Sequence, residues 1–513
     1  MKPSDVYRRP GFVVAISICA AFLLLGIVAT DAFASATKHV FDWMITNLGW
    51  AFILSASAFL LVVVALFVSR VGAIRLGRDD EEPEYSTLTW FAMLFSCGMG
   101  IGLLFWGVSE PISHYAWPPL GDPRTAEAGH IALRYAFFHW GLHPWGIYAV
   151  VGGALAYASY RRGLPMLLSS TLEPILGREN LDRGWGTVVN IIGVFATLFG
   201  LGTSLGLGAM QIGAGVEALS GFASTQGLWV AIVVAMAVVA LASTMSGIDR
   251  GIKYLSQVNI GVAACLMLLV FILGPTLFIL NSLTHATGDY LQNIIGMSSR
   301  IDATGEGAPG WTGAWTVFYW AWWIAWAPFV GAFIARISKG RTLRQFVTGV
   351  LLIPTSVSLA WFSVFGGSAV FAEHFGGAGG AIIEAVSASE ASGFFALLGT
   401  LPGSQMLIFV AMFSVAVFFI TSLASGTYVN SMLTSGGNPN PPMPLRVTWG
   451  AFQGGVAAIL LFTGGERALE SLQTASLVGG FPFMIVMLLM VYCLFTALSS
   501  EARGQRTLGS KGR

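Results

Sequence analysis

Runs of about 20 apolar residues recur along the whole chain, and each is long enough to cross about 30 Å of hydrocarbon as a helix. A bilayer interior offers no water to backbone N–H and C=O groups, so apolar runs of this length admit only helices bundled together. They fall at 12–30, 49–69, 88–108, 132–159, 187–216, 228–243, 255–280, 312–335, 346–371, 405–428, 447–463 and 472–497. This predicts an all-α integral membrane protein of about twelve transmembrane helices, with no room for a separate soluble domain. Hydrophobic residues make up 55% of the 513 and charged residues only 10%, as a chain held mostly in lipid requires.

Lys and Arg set the expected orientation. With both termini on one side, that side carries 21 of the 26 basic residues, and the other carries Lys38, Arg124, Arg134, Arg300 and Arg467. Both termini are therefore expected in the cytoplasm. The first apolar run has a basic flank but no small-residue cleavage site, so it is expected to be a retained helix rather than a signal peptide. Cys19, Cys97, Cys265 and Cys493 lie in apolar runs without paired spacing, and the seven histidines are scattered. Neither a disulfide framework nor a transition-metal site is predicted. The acidic stretch 79–84 is expected to be a solvated loop. Residues 285–300 have a rough helical alternation but are too short and polar to span, which predicts an interfacial helix on the external surface. The Gly-rich 375–403 region is expected to be an external loop with another short helix.

Three segments carry the functional signal. Between Trp315 and Arg341, five tryptophans fall in twelve positions of an apolar segment. At about 100° per residue, Trp322, Trp323 and Trp326 fall within roughly 100° of one another, and Trp320 lies one turn from Trp323. Several indole rings on one face suit a soft cation such as a quaternary ammonium, which cannot donate a hydrogen bond. An interfacial aromatic belt would gather at a span end, whereas this cluster runs into the span. In the third span, Gly98, Gly100 and Gly102 are each about 1 kcal/mol worse than Ala in a helix, which predicts unwinding there. Irregular backbone at membrane depth is tolerated where it lines a cavity or is buried in protein, and broken spans are where transporters place substrates and coupling ions. Close helix packing through small residues is the competing reading. The fourth span repeats the aromatic theme with Trp140, Trp145 and Tyr148 near Pro144, which is expected to free a carbonyl and bend the helix. His139 and His143, four apart, are a candidate proton relay or ordinary polar residues near a span end.

From the third span to the twelfth, the helix middles are read as essentially free of Asp, Glu, Lys and Arg. Ion channels and carboxylate-driven proton pumps usually need intramembrane charge. An uncharged pocket with aromatic walls and helix-end dipoles fits a net-neutral zwitterion instead. No paired catalytic residues stand within the spans, so no enzyme is expected.

The segments GMGIGLLFWGVSEP (98–111), HWGLHPWGIYA (139–149), SLGLGAMQI (204–212) and WTVFYWAWWIAWAPFVGAFIARISKGRT (315–342) resemble the betaine/carnitine/choline transporter family. The similarity runs from about residue 10 to 498. It implies the sodium-symporter-like fold: two peripheral helices within 1–86, a first five-helix repeat at 87–281, an external interfacial helix at 282–311, an inverted second repeat at 312–498 and a short cytoplasmic tail at 499–513. It implies one cage wall of Trp140, Trp145 and Tyr148 and another of Trp322, Trp323 and Trp326 with Trp320 beside it, next to unwound backbone at Gly98, Met99, Gly100 and Gly102. For sodium as the coupling ion it implies one site at Ser96, Met99, Phe418, Thr421 and Ser422, and a second at Thr197 and Phe329.

The chain departs from the family pattern in three places. Leu201 stands where sodium-coupled members carry a second threonine, Ala424 replaces a frequent Asp, and the tails are shorter than those of osmosensing members. Osmotic self-regulation is accordingly not expected. Gly102, where proton-coupled choline carriers tend to be acidic, favours sodium-coupled uptake of a zwitterion. The expected function is secondary active import of a compatible solute, glycine betaine first, with choline, carnitine, ectoine and dimethylsulfoniopropionate open. Proton-coupled or sodium-independent uptake or exchange is the alternative within transport, and a non-transporting membrane sensor the alternative outside it. A homotrimer is implied by resemblance alone.

Overall fold

The computed structural model describes residues 7, 9–98, 100–245, 249–301 and 308–511, with backbone alone at 95–98, 249–253 and 502–511. Among the described residues the chain is helical throughout, apart from an isolated antiparallel bridge between Arg75 and Thr342. The first half runs through α1 (Pro10–Val28), α2 (Thr30–Val68), α3 (Thr87–Gly98), α4 (Ile101–Ala116), α5 (Ala126–Trp140), α6 (Leu142–Ala156), α7 (Trp185–Ser220), α8 (Gln226–Met245) and α9 (Asp249–Leu273). The second half continues with α10 (Thr276–Ser298), α11 (Phe318–Ile337), α12 (Leu343–His374), α13 (Ala381–Ala388), α14 (Gly393–Gly399), α15 (Ser404–Thr434), α16 (Met443–Gly464) and α17 (Ala468–Lys511).

Nine described stretches are long and apolar enough to cross a membrane in one piece. One of them, Met443–Glu501, is the pair α16 and α17, folded on each other at the turn Gly465–Arg467. The third and fourth spans escape a length criterion because each is broken into two halves of 12 to 16 residues. Together these make the expected twelve. Burial separates centre from rim. The best apolar window is 83% buried in Gly313–Ile337 and 78% in α7, but only 22% in α1, α8 and Tyr254–Leu273, which therefore leave most of their surface on the outside of the bundle.

Several boundaries differ from expectation. Helix α2 begins at Thr30, well before the apolar run, because its first turns carry Asp31, Lys38 and Asp42 outside the hydrocarbon, with Lys38 paired to Asp42 and Glu470. The 255–280 run ends at Leu273, where Gly274 and Pro275 interrupt it, and α10 restarts at Thr276 to take in the expected interfacial segment. The Gly-rich 375–403 region holds two short helices, α13 and α14, rather than one.

The central helix α11 packs on α6, α7 and α17, while α4 packs on α5 and α12. A clasp joins the 69–86 loop to 338–344. Leu76 and Gly340 exchange backbone hydrogen bonds with that segment and its neighbours, Lys339 pairs with Glu81 at 2.8 Å, and Arg341 lies over the Trp90 ring.

The two breaks settle their backbone groups differently. At the first, Gly100 is extended (φ −169°, ψ −175°) between α3 and α4. The second lies at Gly141, and Pro144 sits in the first turn of α6, where a missing N–H costs nothing. So the fourth span is interrupted at Gly141 rather than bent at Pro144. The freed N–H of Leu142 donates to the hydroxyl of Tyr290 on α10 at 3.1 Å, so α10 holds the second break in place. Tyr290→Phe leaves that N–H without its acceptor, at a cost of about 1–3 kcal/mol. A lowered thermal midpoint in detergent is expected, and an unchanged one would show that α10 does not anchor the break.

Candidate functional site

The rings of α11 project where the helical period directs them. Trp322 and Trp323 stack with centroids 4.7 Å apart and planes 17° from parallel. Trp326 meets Trp322 edge-on at 6.3 Å. From the fourth span, Trp140 stands edge-on to Trp323 at 4.8 Å and to Trp322 at 6.2 Å, and Tyr148 meets Trp323 at 6.3 Å beside Trp145. These six side chains line a cavity of about 200 Å³ together with Gly100, Gly102, Phe418, Thr421 and Ser422. Hydroxyls of Ser256, Ser358 and Ser425 also face it, and no charged side chain is among its lining residues.

What fixes the rings is where their N–H groups point. Trp322 and Trp326 both donate to the carbonyl of Gly200 on α7, at 3.3 and 2.8 Å. Trp323 donates to the carbonyl of His139 at 3.0 Å, and Trp140 to Oε2 of Glu110 at 2.7 Å. Each of these four indoles thus anchors its polar edge in protein. What these rings turn to the cavity is aromatic surface, the partner that cation–π attraction uses, while Trp322 and Trp323 stack on each other and on Phe318 and Tyr319 behind.

The glycines of the third span have different tasks. A Cβ at Gly102 would lie 2.8 Å from Cη2 of Trp140 and 3.0 Å from Cη2 of Trp322. Its bareness lets both indoles close over α4. A Cβ at Gly100 meets nothing within 4 Å, so Gly100 is the position from which a side chain would enter the cavity. Gly98 ends α3, with no side-chain environment described, and Met99 lies outside the described residues, as does the side chain of Ser96.

Two expectations need correction. Trp320 does not line the cavity. It sits about 160° around the helix from Trp322, fully buried, stacked on His143 at 5.2 Å and edge-on to Phe138. His139 and His143 do not form a relay, because the break at Gly141 puts them on different helices with different partners. His139 bonds Glu110 and Thr316, whereas Nε2 of His143 meets Ser298.

A third correction concerns charge. Glu110 is fully buried on α4 and lies within a span, because the apolar run ends at residue 108 but α4 continues to Ala116. Oε1 meets His139 Nδ1 at 2.7 Å and His114 Nε2 at 3.3 Å. Oε2 accepts from Trp140 and from the hydroxyl of Tyr319 at 2.6 Å. Glu110, His114 and His139 bring their ligand-type atoms within 4.8 Å of one another. Two partners at each oxygen make this a hydrogen-bonded anchor rather than an open set of metal ligands. The available signal was Glu110 and His114 at i, i+4 directly after an apolar run, since intramembrane carboxylates are rarely idle.

The sodium candidates divide into two places. Phe418, Thr421 and Ser422 border the cavity, and the Thr421 hydroxyl donates to the carbonyls of Val417 and Phe418 at 3.0 and 3.2 Å. Its lone pairs remain able to accept a hard cation. Phe329 also borders the cavity, while the Thr197 hydroxyl is buried without a hydrogen-bond partner, as an oxygen reserved for an ion would be. Leu201, one turn on, contributes no oxygen and packs so close to Gly426 that a Cβ there would clash with it.

A model of betaine/carnitine/choline family transporters matches residues 10–503. The glycine betaine transporter OpuD of Bacillus subtilis is 43% identical over 96% of this chain and 94% of its own length. A betaine/ectoine transporter, LcoP of Corynebacterium glutamicum, is 40% identical over 96% of this chain and 78% of its own. An ectoine/hydroxyectoine transporter of Virgibacillus pantothenticus is 38% identical over 96% and 97%.

The geometry makes two substitutions informative. Gly102→Ala must push the Trp140 or Trp322 ring away, whereas Gly100→Ala enters open space. Solute affinity, read by tryptophan fluorescence, is expected to fall several-fold or more for Gly102→Ala and to stay within about twofold for Gly100→Ala. Equal effects would mean that closure of the two indoles over Gly102 does not shape the site.

Proposed function

The chain belongs to the betaine/carnitine/choline family of transporters, and from that premise we propose that it imports a small quaternary-ammonium or sulfonium zwitterion, glycine betaine first, by sodium-driven alternating access. One observation carries the reading: six aromatic side chains enclose a cavity whose lining holds hydroxyls but no charged group. The ring faces suit the methylated cation. The hydroxyls, with the backbone opened at Gly100, suit the carboxylate, and the uncharged lining neither repels it nor demands a second ion. The names of the relatives support betaine and make ectoine the second solute to test. Choline and carnitine fit the same rings, but choline lacks a carboxylate for the hydroxyl side.

We place the repeats at 87–281 and 312–498 and both termini in the cytoplasm, the side that the basic residues favour. Sodium fits the oxygens of Phe418, Thr421 and Ser422 beside the cavity and the orphaned hydroxyl of Thr197. Proton coupling through His139 and His143 loses its main support, since the two imidazoles share no partner.

Purified protein in liposomes, offered labelled betaine, ectoine, choline and carnitine with and without an inward sodium gradient, tests the proposal. Betaine accumulation that depends on the gradient is expected. Uptake indifferent to sodium, or confined to ectoine, would contradict the coupling or the solute respectively. In the double variant Thr421→Val, Ser422→Ala, the sodium concentration for half-maximal uptake should rise severalfold, with betaine affinity changed only through linkage between the two ligands.

Cation–π attraction contributes up to about 2 kcal/mol at a desolvated ring. Trp323→Leu or Trp326→Leu should therefore weaken betaine binding about tenfold or more, and Phe at either position less. Unchanged affinity in both Leu variants at normal expression would remove the cage.

A further inference from the structure

We propose that Glu110 is a specificity-determining and positioning residue: its buried carboxylate, hydrogen-bonded to the back edge of Trp140, makes the aromatic cage electronegative without presenting a charge to the solute. This rests on the reading of the cavity as a site for a cation-headed zwitterion.

The hydrogen-bond pattern accommodates an ionised carboxylate. Trp140 Nε1–H and the Tyr319 hydroxyl both point at Oε2, and both imidazoles point a nitrogen at Oε1. Giving each imidazole one proton, directed at Oε1, lets the Thr316 hydroxyl donate to His139 Nε2 at 2.9 Å. Every contact is then matched donor to acceptor, and Glu110 is an ionised carboxylate accepting four hydrogen bonds. An ionised carboxylate only accepts, and four partners each able to donate suit it. The cluster then carries one unit of negative charge, wholly enclosed, as burial of all three groups requires that it be compensated by donors.

The charge lies behind the cage and outside the cavity. Glu110 does not line the cavity, but Trp140 does, and the indole bridges the two. A carboxylate accepting from an indole N–H pushes electron density into the ring, since hydrogen bonds in low dielectric polarise their neighbours. The face that the ring turns to the cavity becomes a better partner for a cation. The effect reaches a second wall. Tyr319, held by the same Oε2, stacks on Trp323 with centroids 5.8 Å apart, and Trp323 itself donates to the carbonyl of His139, whose ring is held by Oε1. This resolves a conflict of requirements. A carboxylate in the cavity would attract the ammonium head but repel the solute's own carboxylate. A carboxylate behind the rings acts on the head that touches them and is distant from the tail.

Three variants separate charge from shape, with betaine affinity read by tryptophan fluorescence on protein of normal thermal stability. Glu110→Gln keeps the volume and can satisfy the network if His139 and His114 both change tautomer, but carries no charge. Glu110→Asp keeps the charge and retreats by one methylene. Trp140→Phe keeps a ring and removes the N–H that links it to Glu110. Affinity is expected to fall tenfold or more in Glu110→Gln and to be partly retained in Glu110→Asp. In a Trp140→Phe background, Glu110→Gln should cost severalfold less than in the wild type, the remainder passing through Tyr319 and Trp323. The reverse order, with Gln nearer wild type than Asp, would reduce Glu110 to a spacer and overturn the proposal, as would an equal loss from Glu110→Gln in both backgrounds. If neither Glu110 variant folds, Trp140→Phe alone decides, because wild-type affinity there would show that the carboxylate–indole link is idle. The wild-type titration separately tests the solute reading, since a wild type blind to betaine would remove that reading before any variant is compared.

Discussion

Hydrocarbon cannot hydrogen-bond a peptide group, and this constraint organises the whole molecule. Among the described residues ten spans obey it as unbroken helices, and two do not. The exceptions are adjacent to the cavity: Gly100 and Gly102 at the first break, Trp140, Pro144 and Trp145 around the second. Breaks at membrane depth persist only where protein supplies the missing partners. Here Tyr290 supplies one from the surface helix α10. The breaks also free the fourth span to turn Trp140 and Trp145 inward from separate half-helices, which one continuous helix would set at about 140° to each other.

Given that scaffold, the cage is built by tethering the polar edge of each indole. Gly200 holds two rings, the His139 carbonyl a third and Glu110 a fourth. The tethers come from α7, α5 and α4, so three neighbouring helices fix the rings that face the cavity.

Much of this was legible in the sequence, because apolar length, glycine content and helical period are local properties. Trp322, Trp323 and Trp326 share a face by arithmetic alone, and Gly98, Gly100 and Gly102 mark a weak helix by propensity alone. Trp320 shows the limit of that arithmetic. One turn from Trp323 brought it near the face, but neighbouring helices decide which half of a broad aromatic surface meets the cavity, and Trp320 was taken up by His143. Glu110 was missed for a related reason. A carboxylate past an apolar run reads as a span end unless its partners are known, and His139, Trp140 and Tyr319 lie 29, 30 and 209 residues away. The anchoring of Gly141 by Tyr290, 148 residues downstream of Leu142, is likewise a tertiary fact.

The central claim is that ring faces hold a positive charge rather than merely a greasy, ball-shaped group. Glycine betaine and its carbon isostere 3,3-dimethylbutanoate share shape and carboxylate but differ in the charge of the branched head. Their dissociation constants for the wild-type protein, titrated by tryptophan fluorescence at fixed sodium, test it most directly. The account predicts that betaine binds at least tenfold more tightly, and equal affinities would contradict it.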